Sequence, residues 1–229
     1  MMFGRLSPCM RVAHGGAAAA CRRVIIRNWH KDGGSMVEVA WEKPKVGWTK
    51  LNFDGSCRWE TGASSIGGVF RDHDAEFLFG YAEPIVGPVS SSSDSNVAEF
   101  AALRRGLQIL TEDDNRWITQ KGTLHNNLWI EGDSKNLVDA VLHREPRRRR
   151  FKWEDFQEQV EEIRLMIRRL KTFCRCDLTH VYKEGNRAAH KLAEIGHRLQ
   201  SPQVWRRLAP PPQLLPILSQ DAQAKVIQR

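Results

Sequence analysis

The chain lacks a cysteine framework, a long apolar run and, over its first 31 residues, any acid. Its five cysteines are Cys9, Cys21, Cys57, Cys174 and Cys176. An odd number without a CxxC pair excludes a zinc ribbon or a dense disulfide scaffold, and reduced thiols in an intracellular protein fit best. Cys174 and Cys176 have no companion Cys or His pair nearby and read as packing residues. No stretch approaches the roughly 20 apolar residues that span a bilayer. A soluble protein of nucleus or cytoplasm, with no membrane partner, is therefore expected.

The acid-free opening carries Arg5, Arg11, Arg22, Arg23, Arg27 and Lys31, with an alanine run at 17–20. Organelle transit peptides have this composition, although a single serine, Ser7, makes the match incomplete. A disordered leader, or an extension upstream of a start at Met36, explains it equally well. If residues 1–35 act as a transit segment, an organelle is the destination.

What is present points to a polyanionic partner. Thirty-five Lys and Arg stand against 27 Asp and Glu, a formal charge of +8, which favours a polyanion such as nucleic acid, although an ordinary basic surface gives the same totals. At 229 residues the chain suits one buried domain with tails rather than two domains. The expected division is a basic leader over 1–40, a domain over 41–200 and a Pro-rich extension over 201–229. There is no internal repeat, and a monomer is expected.

Local patterns set out the elements. Lys50 to Asp54 alternates, Leu51 and Phe53 pointing one way and Asn52 and Asp54 the other, so a strand delivers Asp54 to its end beside a turn at Gly55 and Ser56. Strands over Ile66–Arg71 and Glu76–Tyr81, joined by "DHDA", complete an antiparallel meander. A Ser-rich loop at 90–96 leads to "VAEFAALRRGLQIL", whose Val97, Ala101, Leu107 and Leu110 recur at helical spacing. "NLWIEGDS" is a strand ending at Asp133, and Ser134 caps the short helix that follows. A long helix spans about Glu154 to Lys171 with Phe156, Val160, Ile163, Ile167 and Leu170 on its apolar face. The strand "CDLTHVY" and the helix "NRAAHKLAE" close the series. The proline run at 210–212 forbids one continuous helix in the tail, which reads as an irregular extension. Three strands, helix, strand, two helices, strand and helix make an α/β layout with a mixed sheet.

Three acids sit where these elements begin or end: Asp54, Glu99 and Asp133. One such acid is most simply a cap or a solubilising charge. Three from three elements can converge on hard divalent cations, which take oxygen ligands. His190, in the last helix, is either a further member of that site or one more helix residue.

The strings "PKVGWTKLNFDGSC", "IGGVFRDHD", "NVAEFAALRRGLQIL", "IEGDSKNLVDAVL", "HVYKEGNRAAHKLA" and "SPQVWRRLAPPP" follow one another in the order of a known family. The chain from about Trp41 onward resembles the type 1 ribonuclease H domain, specifically the plant branch similar to the domain fused to retrotransposon reverse transcriptases. The resemblance implies a five-stranded mixed sheet flanked by helices, and hydrolysis of the RNA strand of an RNA/DNA hybrid with two divalent ions, Mg²⁺ or Mn²⁺. It places Asp54, Glu99 and Asp133 as the first three metal-binding acids and His190 in the fourth ligand's position. Gly55, Ser56 and Cys57 resemble the turn that lies against substrate, and Asn186 matches a family asparagine.

Each of the remaining candidates has a plainer reading. Gly55 permits close approach of a sugar or phosphate but also suits a tight turn, and Cys57 reads first as a small packed residue. Asn186 suits a helix cap, and Ser134 is counted with the nucleic-acid contacts beside its own capping role. Arg147, Arg148, Arg149 and Arg150 can bind phosphates or simply form a solvated face. Trp117, Trp129, Trp153 and Trp205 can stack on bases, with packing as the default. Two features depart from the family: "YKEGN" lacks the loop histidine that precedes the last helix, His180 lying in the strand before it, and "GASSIGG" lacks the fuller Gly/Asn turn. They motivate the alternative of a transposon-derived module that binds nucleic acid without cleaving it.

Overall fold

The computed structural model describes residues 25–26, 37–85, 94–111, 127–143, 153–225 and 227–228. Three short strands, β1 (Ile25–Ile26), β2 (Val37–Val39) and β9 (Ile227–Gln228), form a small antiparallel sheet. The main sheet holds β3 (Trp48–Arg58), β4 (Ala63–Arg71), β5 (Phe77–Ile85), β6 (Asn127–Gly132), β7 (Arg175–His180) and β8 (Gln203–Arg206). Its order is β7-β6-β3-β4-β5-β8. β3, β4 and β5 pair antiparallel as the meander expected from sequence, while β6 and β7 add in parallel. The mixed α/β class therefore holds, with six strands in place of five because β8 pairs antiparallel with β5.

Helix α1 (Asp94–Thr111), α2 (Lys135–Val141) and α3 (Gln157–Leu170) pack against one face of this sheet, through a core that includes Leu51, Phe53, Phe70, Leu103, Leu107, Ile130 and Ile163. Helix α3 buries Val160, Ile163 and Ile167 and turns most of its charged residues outward, while Arg164 donates to the Ala140 and Val141 carbonyls at the end of α2. Helix α4 (Arg187–Gly196) and α5 (Leu215–Ala222) cover the opposite face over Val69, Phe77 and Ala82. With both faces covered, the alternate positions on β3 are buried too: Lys50 and Asn52 are as inaccessible as Leu51 and Phe53.

Four expectations change. β3 passes through Gly55 and Ser56 without turning, because both stay paired with β4; the hairpin lies at Trp59–Gly62, where Gly62 supplies the positive φ. Helix α1 starts at Asp94, inside the stretch read as a Ser-rich loop. A single 3₁₀ turn, Trp153–Phe156, precedes α3. The tail is regular: after β8 the prolines yield a 3₁₀ turn at Pro212–Leu214 that leads into α5. Among the described residues no helix is long and apolar enough to cross a membrane.

The face under α4 and α5 carries a buried polar row. Lys50 lies directly opposite Arg71 in the β3–β4 register, a like-charged pair that is unfavourable alone. Glu131 on the other side of β3 accepts from Lys50 at 2.8 Å, and Asn52 Oδ1 accepts from Trp41 Nε1 at 2.8 Å and from Arg71 Nη2 at 3.1 Å. Trp129 belongs to this row: its ring lies 3.4 Å below Lys50 Nζ and its Nε1 donates to Thr179 at 2.7 Å. Half-buried Trp129 thus packs against the row, and half-buried Trp205 packs against the cluster under α4; Trp117 lies outside the described residues.

Candidate metal centre

The parallel register of β3 and β6 pairs Phe53 with Gly132, so the next residues along each strand, Asp54 and Asp133, come side by side. Glu99 reaches them from the second turn of α1. One ligand oxygen from each of Asp54, Glu99 and Asp133 lies within 4.8 Å of the others. Gly55 makes this approach possible: a Cβ there would stand 2.3 Å from the backbone of Ala98 and Glu99. The absent side chain lets α1 rest on β3, and the Gly55 N–H donates to the Glu99 carboxylate. In the described residues this glycine serves helix packing.

The electrostatics follow from three acids in one place. Burial first, then the charges of Asp54 and Asp133, hold the Glu99 carboxyl well above the usual carboxylate range. Burial and the neighbouring Asp54 push Asp133 up to about 6. Glu99 Oε2 is buried with no hydrogen-bond partner. Clustered carboxylates with raised proton affinity and an orphaned oxygen fit a divalent cation, which supplies the missing positive charge.

His190 stands next to this trio. Its Nδ1 is 2.8 Å from Asp54 Oδ2, and its Nε2 is 3.5 Å from Glu194 Oε1. The hydrogen bond to Asp54 raises the imidazole pKa against the opposing effect of burial. The fourth candidate from the sequence is thus placed on the first acid.

Asn186 is not the cap that its position suggests. Its side chain makes no capping bond to α4. It is 1% exposed, and its Nδ2 donates to the Phe53 carbonyl at 2.9 Å and to Asp133 Oδ1 at 3.2 Å. A buried amide spanning β3 and Asp133 fixes that carboxylate's rotamer. Ser134 does cap α2, accepting from the Leu137 N–H at 3.5 Å.

Among the remaining candidates, half-buried Ser56 pairs with His197 Nε2 at 2.9 Å and Cys57 is a half-buried free thiol. Cys174 and Cys176 are also free, and burial pushes the Cys176 thiol up to about 12, as suits a packed residue. Arg147, Arg148, Arg149 and Arg150 lie outside the described residues. His180 ends β7, its ring edge-on to Tyr182. Sequence reasoning misses His197, Glu194 and Lys183, the last a cation whose charge favours the ionised form of Glu99. The i, i+4 and i, i+7 spacing of Glu194 and His197 from His190 is the available signal, since it sets them along one side of α4. A second acidic group, Asp72, His73 and Asp74, is a turn in which Asp72 Oδ1 accepts from the Asp74 and Glu76 backbone.

Residues 52–196 match the family model described as reverse transcriptase-like. No curated protein matches the chain. Among solved structures, LC11-RNase H1, isolated from compost by a metagenomic approach, shares 19% identity over 67% of this chain and 97% of its own, with a TM-score of 0.52. RNase H1 from the halophilic archaeon Halobacterium salinarum shares 21% identity over 65% of this chain and 96% of its own, at a TM-score of 0.49. LC11-RNase H1 in complex with RNA/DNA hybrid shares 20% over 66% and 96%, also at 0.49. At such identity the likeness to the compost protein is one of fold.

Proposed function

Since the chain belongs to the reverse transcriptase-like family and has a ribonuclease H-like fold, we propose that it binds nucleic acid and hydrolyses the RNA strand of RNA/DNA hybrids. One observation carries the reading: three carboxylates from β3, α1 and the end of β6 meet within 4.8 Å, with Glu99 Oε2 left unpaired. Asp54, Glu99 and Asp133 would hold Mg²⁺ or Mn²⁺, a pair of ions when substrate is present, and His190 is the fourth group beside them. Ions held by these residues would supply Lewis-acid chemistry, polarising a phosphodiester and lowering the pKa of a bound water.

The protein's own residues orient that chemistry. Asn186 holds Asp133, the Gly55 N–H holds Glu99, and His190 holds Asp54. The sequence suggests Gly55, Ser56, Cys57, Ser134, Asn186 and the arginines 147–150 as nucleic-acid contacts. Partial exposure beside the acids supports that proposed role for Ser56, Cys57 and Ser134, whereas buried Asn186 would act through Asp133. The net charge of +8 suits the polyanion, and a 2′-OH contact would give preference for the RNA strand.

The test is cleavage of an end-labelled hybrid with Mg²⁺ or Mn²⁺. The parent should cleave and Asp54→Asn should not; equal signals from both would end the proposal. The second reading, binding without turnover, is favoured by the His190–Asp54 bond, which occupies one oxygen of a proposed metal ligand. Salt-dependent hybrid binding with no cleavage in either metal is its expected outcome.

A further inference from the structure

The C-terminal helix has no part in the chemistry proposed above, yet it reaches the residues that support it. Arg71 is fully buried on β4, and its Nη1 donates to Asp221 Oδ2 at 2.7 Å. The other oxygen, Asp221 Oδ1, accepts from Arg187 Nη2 at 2.9 Å, and Arg187 Nη1 donates to Gln220 Oε1 at 2.8 Å. Asp221 itself is 2% exposed. One carboxylate on α5 therefore joins the centre of the sheet to the first residue of α4.

That first residue is well placed. Arg187 follows Asn186, which holds Asp133, and precedes by three positions His190, which holds Asp54. Because Asn186 spends its amide on Phe53 and Asp133, the start of α4 has no side-chain cap. The apolar contacts of Ala188 and Leu192 with Val69, Leu214 and Leu218 bury the helix but are non-directional. Ser65 Oγ donates to the Ala193 carbonyl at 2.6 Å and fixes the middle of the helix on β4, which leaves the direction of its first turn, with Asn186 and His190, to be set at Arg187. The guanidinium fork of Arg187 is directional, and each of its two bonds ends on α5.

We infer that Asp221 is a positioning residue: through Arg187, the C-terminal helix sets the phase of α4 and so the placement of Asn186 and His190 at the metal centre. The inference rests on the reading of that centre given above. It makes the segment 203–222 part of the site's support, although none of its residues touches the three acids.

Hydrogen exchange on the full chain tests this in chelator, without metal or hybrid, followed by titration with Mn²⁺ alone. Arg187→Ala is the informative variant because it leaves the Arg71–Asp221 pair in place. Exchange over 186–192 should quicken about tenfold relative to β3 and β4, which report global opening, and Mn²⁺ affinity should fall several-fold. Asp221→Asn should lower Mn²⁺ affinity at least as much, with exchange also faster in β3 and β4 because Arg71 loses its anion, whereas Glu76→Gln, which removes the surface pair with Arg207 on the same segment, should change neither exchange nor affinity. Uniformly faster exchange in Arg187→Ala would make the bridge a matter of overall stability and overturn the inference. So would unchanged exchange, or faster local exchange with parental Mn²⁺ affinity. A parent that exchanges as described yet never cleaves hybrid would instead count against the nuclease reading.

Discussion

At the scale of single residues, the proposed metal centre sets protons and cations in competition for the same carboxylates. Asp133 titrates near 6 in the folded protein, against about 3.9 for an unperturbed Asp. Between those values the folded chain binds more protons than the unfolded chain, so stability falls as pH rises through the window. In chelator, urea unfolding should show this fall in the parent and a smaller one in Asp133→Asn. The variant should be the more stable of the two at pH 7.5 by about 1–2 kcal/mol. Bound metal reverses the trend: apparent Mn²⁺ affinity should drop below about pH 6, since the ligands must first lose their protons. His190 adds a second test. A neutral imidazole in place of a carboxylate brings one fewer negative charge, and Mn²⁺ accepts nitrogen more readily than Mg²⁺. The parent should work better with Mn²⁺, and His190→Asp should lower the Mg²⁺ concentration for half-maximal activity; identical titrations would place His190 outside the site.

At the scale of elements, two glycines separate packing from conformation. A methyl group at Gly55 meets the α1 backbone at 2.3 Å, so Gly55→Ala must move the helix that carries Glu99. Calorimetry should show a loss of about 1–3 kcal/mol, typical of overpacking, with a larger proportional loss of metal binding. Gly62→Ala strains only a hairpin φ of +66° in open space, and metal binding should survive it. The tail makes a comparable point. Asp221→Ala leaves the Arg71 guanidinium buried without its anion, a change that costs about 3–5 kcal/mol in such settings. Denaturant midpoints should show that loss, whereas cutting the exposed Arg207–Glu76 pair should be nearly silent.

At the scale of the whole molecule, binding should follow its charge. Hybrid affinity should fall linearly in a log–log plot against salt, and replacing Arg147–Arg150 with alanine should reduce the slope by about one for each phosphate no longer neutralised. An unchanged slope would make that run a solvated face. Much of the architecture is legible in the sequence because its signals are local. The alternation at Lys50–Asp54 and the helical spacing at 97–110 are written over a few residues, and so are Asp54 within β3 and Asp133 just after β6. What cannot be read is who meets whom. Asn186 looks like a cap because a cap is the local use of an asparagine before a helix. Its actual bond crosses 133 residues to Phe53. Gly55 looks like a turn because the glycine signal does not name the helix lying against it. The tail's sixth strand and helix escape notice because prolines mark where a helix cannot run, not what the chain pairs with beyond them. The sequence alone thus determined the order of elements from β3 to α4 and picked out the three acids, through short-range backbone preference and side-chain period. Tertiary structure alone decided that those acids converge, that His190 bonds to Asp54 across 136 positions and that Asp221 reaches Arg71 across 150. The reason is physical: such contacts are chosen by burial and charge balance in the assembled core, which no single stretch of chain encodes.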